Sequence, residues 1–209
     1  MGTDQPAVTV SELGVAHLDA ATAVLAAAFA GDPLIRWCCG DREDAAMPIA
    51  FRVTLGQLIP ARSTFGAFIG ERLVAVAMLQ KPDGGFGLRN ALAAGLWRLP
   101  FAAGALGTTR LLGQVALTER FKQRLLPNER YLYFDTLGVH PEFANRGIGS
   151  ELARRSLAAL ASERHRCLLL THVERNVRLY ERLGFSVIGD YRLPLSTVHF
   201  RAMVAPETR

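Results

Sequence analysis

Lysine is nearly missing from this 209-residue chain: of 24 basic side chains only Lys81 and Lys122 are lysines, and the rest are arginines. The arginines are scattered, with no run of five or six. The net charge of +5 therefore does not form the basic stripe of a nucleic-acid surface, although it suits a field that draws in a small anionic ligand. Cysteine is scarce as well. Cys38 and Cys39 are neighbours, Cys167 stands alone among apolar residues, and there is no C-x-x-C pair. That spacing excludes a disulfide framework and a cysteine zinc site, and predicts reduced, buried thiols with no metal. Long apolar runs are missing too. The stretch ALAAGLWRLPFAAGALGTTRLLGQVAL is cut by Arg98 and Arg110 into pieces short of the ~18 residues a membrane span needs. MGTDQPAV has neither the basic nor the apolar region of a signal peptide, and Pro6 breaks the myristoylation pattern that Met-Gly opens. The expectation is a cytoplasmic protein with no membrane and no nucleic-acid partner.

What is present is ordinary globular composition, 50% hydrophobic and 21% charged, without repeats or low-complexity linkers. Residues 1–209 read as one domain. AVTVSEL (7–13) alternates like a strand, and HLDAATAVLAAAFA (17–30) is an alanine-rich helix closed by Gly31-Asp32-Pro33. A helix over about 42–59 follows. TFGAFIGE and RLVAVAMLQKP read as a hairpin turning at Gly70-Glu71-Arg72. Residues 86–126 form a helical insertion with a predicted break at Pro100.

YLYFDTLGV (131–139) is apolar on both faces, which predicts a central strand carrying Tyr133, Asp135 and Leu137 on one side. In the helix that starts near Gly147, Ile148, Leu152, Ala153, Leu157 and Leu160 fall on one arc. Glu151, Arg154, Arg155 and Ser162 fall on the other. RCLLLTHV (166–173) is a second apolar strand, bearing His172. ERNVRLYERL is a helix closed by Gly184, and FSVIGDYRL and TVHFRAMV end the chain as strands. The fold class is α/β (α+β): a mixed sheet of about six to seven strands with helices on both faces. Its one strand–helix–strand unit, 131–173, is expected to be parallel with a right-handed crossover.

The junction HPEFANRGIGSELARR (140–155) bears glycines at the mouth of a helix, an arrangement that bares backbone N–H groups to a phosphate. Asn145, Arg146, Gly147, Ile148, Gly149 and Ser150 can turn their N–H groups toward a pyrophosphate. Gly147 and Gly149 permit close approach, and Arg146 adds charge. A dinucleotide fingerprint fails, because the third glycine position is Leu152, and a phosphate-binding P-loop fails for want of a lysine.

YLYFDTLGVHPEFANRGIGSELARRSLAAL resembles the A motif of the GNAT superfamily of N-acetyltransferases, and NVRLYERLGF resembles its B motif. The likeness spans 131–203 and is greatest to the puromycin N-acetyltransferase-like group, which LAAAFAGDPLIRW (25–37) also resembles. It implies acetyl-CoA as co-substrate, bound beside a splayed parallel strand pair, and a primary amine of a small molecule or peptide as acceptor. It further implies Leu137 and Gly138 as backbone contacts to pantetheine and the Val139 N–H as oxyanion donor. Asn176 would fix a water or a pantetheine amide, and Tyr180 would be the acid that protonates the leaving thiolate. Two positions depart from the family pattern. Ala144 stands where Gln or Arg is usual, which predicts weakened rather than abolished coenzyme binding, compensated by Arg146 or a downstream arginine. Leu170 stands where the puromycin-like group tends to carry Glu.

The base that takes the amine's proton is open among Asp135, Tyr133, His172 and ordered water. Asp135 leads, because an acid in so apolar a strand needs a purpose. His140 belongs to the strand end. Trp37 lines the acceptor pocket or is core. The insertion covers the acceptor site, forms a dimer surface or is structural padding, with the first preferred, and the chain is expected to be a monomer or a homodimer. No activated Cys or Ser is recognisable, which favours direct attack in a ternary complex. The competing expectation is a non-catalytic acyl-CoA-binding regulatory or sensor module.

Overall fold

The computed structural model describes residues 7–82, 84, 87–161 and 165–205. The N-terminal hexapeptide, position 86 at the head of the expected insertion, and Ser162 lie outside them. Seven strands form one sheet: β1 (Val8–Glu12), β2 (Thr64–Ile69), β3 (Arg72–Gln80), β4 (Tyr131–Val139), β5 (Arg166–Thr171), β6 (Ser186–Arg192) and β7 (His199–Ala205). Their order is β1-β2-β3-β4-β5-β7-β6, and only β4 and β5 run parallel. The helices are α1 (Leu18–Ala28), α2 (Pro33–Cys39), α3 (Glu43–Leu58), α4 (Leu88–Ala93), α5 (Leu99–Leu125), α6 (Ile148–Ala159) and α7 (Glu174–Arg182).

Helices cover both faces, as the doubly apolar β4 requires. On the α6–α7 side Phe134, Leu152, Leu169, Tyr180 and Met203 share a core. On the α1–α3 side Leu25, Leu55, Val76 and Met78 do so. Along α6, Ile148, Leu152 and Ala153 are buried as the apolar arc predicts. Glu151 pairs with both Arg154 and Arg155 on the solvent side, which holds its carboxyl below the usual range.

Three local features differ from the sequence reading or add to it. The insertion does not break at Pro100. It breaks at 94–98, where Gly95 is left-handed (φ 104°), and Pro100 sits in the first turn of α5, where its missing N–H costs nothing. Gly104 (φ 71°) adds a kink inside α5. Second, DPLIRWCC is a helix: Asp32 caps α2 by accepting from the Leu34 and Ile35 N–H groups at 2.9 and 3.3 Å, with Pro33 at its first position. Third, Tyr133 and Leu137 do not share a face. The β3–β4 register slips between Met78↔Thr136 and Leu79↔Phe134, so Asp135 is the extra residue of a β-bulge. The slip reverses the alternation. Leu132 and Phe134 face α6, and so do Leu137 and Val139, whereas Tyr133 packs with Leu126 and Leu168 on the other side.

The bulge brings Gly138 under α1. A Cβ there would stand 2.7 Å from Leu25 Cδ2 and 3.1 Å from the Ala28 Cβ. Gly138→Ala is therefore expected to push α1 off the sheet at a cost of about 1–3 kcal/mol. Calorimetry should show a Tm lower by several degrees, about 2–4 °C per kcal/mol for a chain of this size.

Candidate active site

β4 and β5 are paired from Tyr131↔Arg166 to Phe134↔Leu169 and then diverge. β5 stays with β7 as far as Thr171↔Arg201, and β4 stays with β3 as far as Val139↔Ala75. Beyond Phe134 the β5-facing edge of β4 has no strand partner. The direction of its backbone groups follows from one bond. The His140 N–H donates to Val74 O at 2.9 Å, toward β3. Backbone groups alternate along a strand, so those of Gly138 also face β3 and those of Leu137 and Val139 face the gap. Of the two residues expected to hold pantetheine by backbone, Leu137 thus presents free groups. Gly138 is needed for the close approach of α1.

The N-terminus of α6 opens beside this gap. Asn145 (φ 61°) and Gly147 (φ 77°) are both left-handed, and the first helical bond runs from the Glu151 N–H to Gly147 O at 3.1 Å. The N–H groups of Ile148, Gly149 and Ser150 precede it and have no partner within the helix. The two glycines are required for different reasons. A Cβ on Gly149 would lie 3.2 Å from Val139 Cγ2, so this glycine seats the helix on β4. A Cβ on Gly147 would meet nothing within 4 Å, so this one serves the backbone turn and leaves space above it. Arg146 lies over the Phe143 ring and donates to Glu142 O at 3.0 Å, which keeps its charge beside the cradle. Ala144 supplies no polar side chain there. His140 accepts weakly from the Glu142 N–H at 3.4 Å and ends the strand.

On α7, Asn176 and Tyr180 are one turn apart on one face. Tyr180 is 7% exposed, edge-on to Phe134 and Phe185. Burial, and then the neighbouring Cys167 thiol, push its phenol well above the usual value, so it remains a hydrogen-bond donor at neutral pH. The three cysteines are free and buried. Burial raises the Cys38 and Cys167 thiols to about 12, far from the thiolate a nucleophile requires.

On the opposite face of the sheet, Asp135 Oδ1 accepts from Gln80 Nε2 at 3.1 Å and Oδ2 from Thr136 Oγ1 at 3.0 Å. Burial raises its pKa, opposed by those hydrogen bonds and by the nearby Lys122. Lys122 is itself 3% exposed, bonded to Glu119 at 2.6 Å and stacked on the Tyr133 ring. Burial holds the Tyr133 phenol well above its usual value. His172 lies one residue beyond the end of β5 and meets Asp32, a partner the sequence reading missed although an Asp-Pro before an apolar run is a helix-start signal. Trp37 is part core and part tie: it donates to Leu195 O at 2.9 Å, packs near Phe200 and carries Arg110 over its ring.

A helix N-terminus aimed along the unpaired edge of a parallel strand can hold a phosphate-bearing chain with its far end in the sheet, the requirement of an enzyme that transfers an acyl group from a nucleotide-linked thioester. The family model described as "Acetyltransferase (GNAT) family" matches residues 33–185, and the chain belongs to that family. It is an acyltransferase, and members of the family generally use acetyl-CoA. Solved structures that share the fold include three acetyltransferases. The histone acetyltransferase HPA2 and related acetyltransferase from Corynebacterium glutamicum is 21% identical, with TM-score 0.72 and 97% of each chain covered. The arylalkylamine N-acetyltransferase 2 from Aedes aegypti is 12% identical, with TM-score 0.69 over 95% of this chain and 98% of that one. The polyamine N-acetyltransferase from Drosophila melanogaster, which forms N-acetylagmatine, is 16% identical, with TM-score 0.61 over 96% and 100%.

Proposed function

We propose that the protein transfers the acetyl group of acetyl-CoA to a primary amine of a small molecule or peptide by direct attack within a ternary complex. The observation that carries this reading is the conjunction of the open α6 N-terminus, the unpaired β4 edge, and Tyr180 packed edge-on to Phe134, the last β4 residue paired with β5. The N–H groups of residues 145–150 and the Arg146 charge would hold the pyrophosphate. Leu137 backbone groups and Asn176 would hold pantetheine, and the Val139 N–H would stabilise the tetrahedral oxyanion. Tyr180 would give its proton to the departing thiolate. The amine would arrive on the α1–α2 face, where Asp135 receives its positive charge and the α4–α5 insertion forms the cover. The named substrates of the structural relatives, agmatine and arylalkylamines, make such cations the first acceptors to try. The puromycin-like affinity rests on the quoted motifs, with Leu170 in place of that group's acid.

The test is isothermal titration with acetyl-CoA followed by thiol release across a panel of polyamines, arylalkylamines, aminoglycosides and peptides. Binding with turnover on one amine supports the reading. Binding with no turnover on any of them favours the sensor module, and no binding sinks both.

Asp135→Asn is expected to raise KM for a cationic amine about tenfold, with a smaller change in kcat, because it removes one charge of attraction. The same variant should gain stability at pH 7. A carboxyl raised by burial favours the fold when protonated and loses that contribution as pH rises through its folded-state pKa. The Tm advantage of Asp135→Asn should therefore vanish below about pH 4, where the wild-type carboxyl is protonated in both states.

A further inference from the structure

The α1–α2 connection and the end of β5 meet in a buried carboxylate–imidazole couple. His172 Nε2 lies 2.9 and 3.1 Å from the two Asp32 carboxylate oxygens, with the side chains 13% and 10% exposed. A carboxylate only accepts, so Nε2 carries the hydrogen, and in the neutral ring the lone pair is on Nδ1. Asp32 is itself fixed, because its Oδ1 accepts the Leu34 and Ile35 N–H groups at the head of α2. The imidazole also stands edge-on to Phe200 of β7, with ring centres 5.3 Å apart. Three elements hold one ring.

The faces of β5 say where that ring is. Cys167 and Leu169 pack under α6 and α7, whereas Leu168 and Leu170 pack on the other side. His172 follows the second set, just past the point where β4 and β5 part. Tyr180 belongs to the α6–α7 core. A thioester threaded through the gap would have the phenol on one face and the imidazole on the other.

We propose that His172 removes the proton from the acceptor ammonium and that Asp32 is its positioning residue. The inference rests on the acetyl-transfer reading. One proton of the ammonium passes to Nδ1, and the freed lone pair forms the N–C bond to the acetyl carbon. The C–S bond then breaks, the nitrogen sheds its second proton to solvent, and the thiolate takes one from Tyr180. The Tyr180 phenolate recovers its proton from solvent, His172 releases the proton it took, and the cycle yields one amide, one thiol and one net proton. An imidazole with a free ring nitrogen is a side chain that can take such a proton. Asp135 shares the face, but each of its oxygens already accepts a side-chain bond and Lys122 faces it, which suits it to receive charge. Among the described residues, charged or titratable groups near the couple include Arg36 and Cys38 of α2, Arg110 of α5 and Tyr191 of β6, which stacks on Phe200; Arg201 of β7, paired to Asp190 and Glu174, lies on the far face.

The experiment measures kcat/KM from pH 5.5 to 9.5 with an amine the wild-type protein acetylates. His172→Gln carries its amide nitrogen at the ε position, so it can still donate to Asp32 but has no basic nitrogen. At pH 7 it should lose about 30-fold, with acetyl-CoA affinity and Tm little changed. The wild-type profile should level off above the imidazole pKa, whereas the variant should climb tenfold per pH unit, following the neutral fraction of the amine. Asp32→Asn keeps the α2 cap, since Asn caps as well as Asp, so it tests the couple even if His172→Gln misfolds. It should cost about tenfold in kcat and move the acid limb to lower pH, because removing the carboxylate charge makes the imidazolium more acidic. Wild-type turnover with His172→Gln within threefold and an unchanged limb overturns the assignment and leaves the acetyl-transfer reading standing; if that variant misfolds, Asp32→Asn with an unmoved limb does the same. A wild-type protein that acetylates no amine overturns both.

Discussion

Tyr180→Phe is expected to lower kcat by about 10²–10³-fold, within the range of a lost general acid, while acetyl-CoA affinity changes less than about twofold. The two effects separate because the ring and the hydroxyl do different work. The ring is wedged between Phe134 and Phe185, and phenylalanine keeps both edge contacts, so the Tm should move little. In the proposed reaction the hydroxyl alone would supply the proton to the departing sulfur. Its raised pKa, caused first by burial and then by Cys167, keeps it protonated well into alkaline solution. No alkaline limb from this group should appear in kcat below about pH 10. Steady-state thiol release at saturating amine, with the coenzyme affinity titrated separately, reads both quantities. An unchanged kcat would remove Tyr180 from the chemistry.

Gly147→Val should weaken acetyl-CoA at least about 100-fold, equivalent to about 2.8 kcal/mol, at 1.4 kcal/mol per tenfold. Two causes act together. Gly147 is left-handed at φ 77°, a conformation that costs a residue bearing Cβ about 1–2 kcal/mol and a β-branched one more. Relaxing that strain rotates the N–H groups that open α6. The new side chain also enters the space above the turn, which is empty of protein and is where a pyrophosphate would lie. The fold itself should survive with a Tm a few degrees lower, since nothing packs on that position. Titration calorimetry distinguishes the outcomes, and a dissociation constant within threefold of wild type would place the phosphates elsewhere.

The motif residues were legible before any coordinates because the interactions they make are local. A helix cap, an i,i+4 pair such as Asn176 and Tyr180, and a glycine that must take a positive φ are written into consecutive residues. The apolar arc of α6 and the two-faced pattern of β4 likewise announce their layers. The chemistry of the acceptor side was less legible, because it depends on residues brought together across the sheet.

Asp32 and His172 lie 140 positions apart and meet only because α1 packs on Gly138 and β5 ends where it does. The bulge at Asp135 was invisible as well. Strict alternation put Tyr133 and Leu137 together, and only the pairing with β3, which must absorb one extra residue between Met78 and Leu79, turns them apart. Sequence alone determined the strand–glycine–helix cradle and the phenol on α7, since both are properties of short segments. The tertiary structure decided which backbone groups face the gap, which carboxylate is clamped, and which histidine is aimed. Those follow from register and packing between distant segments, and no local pattern encodes them.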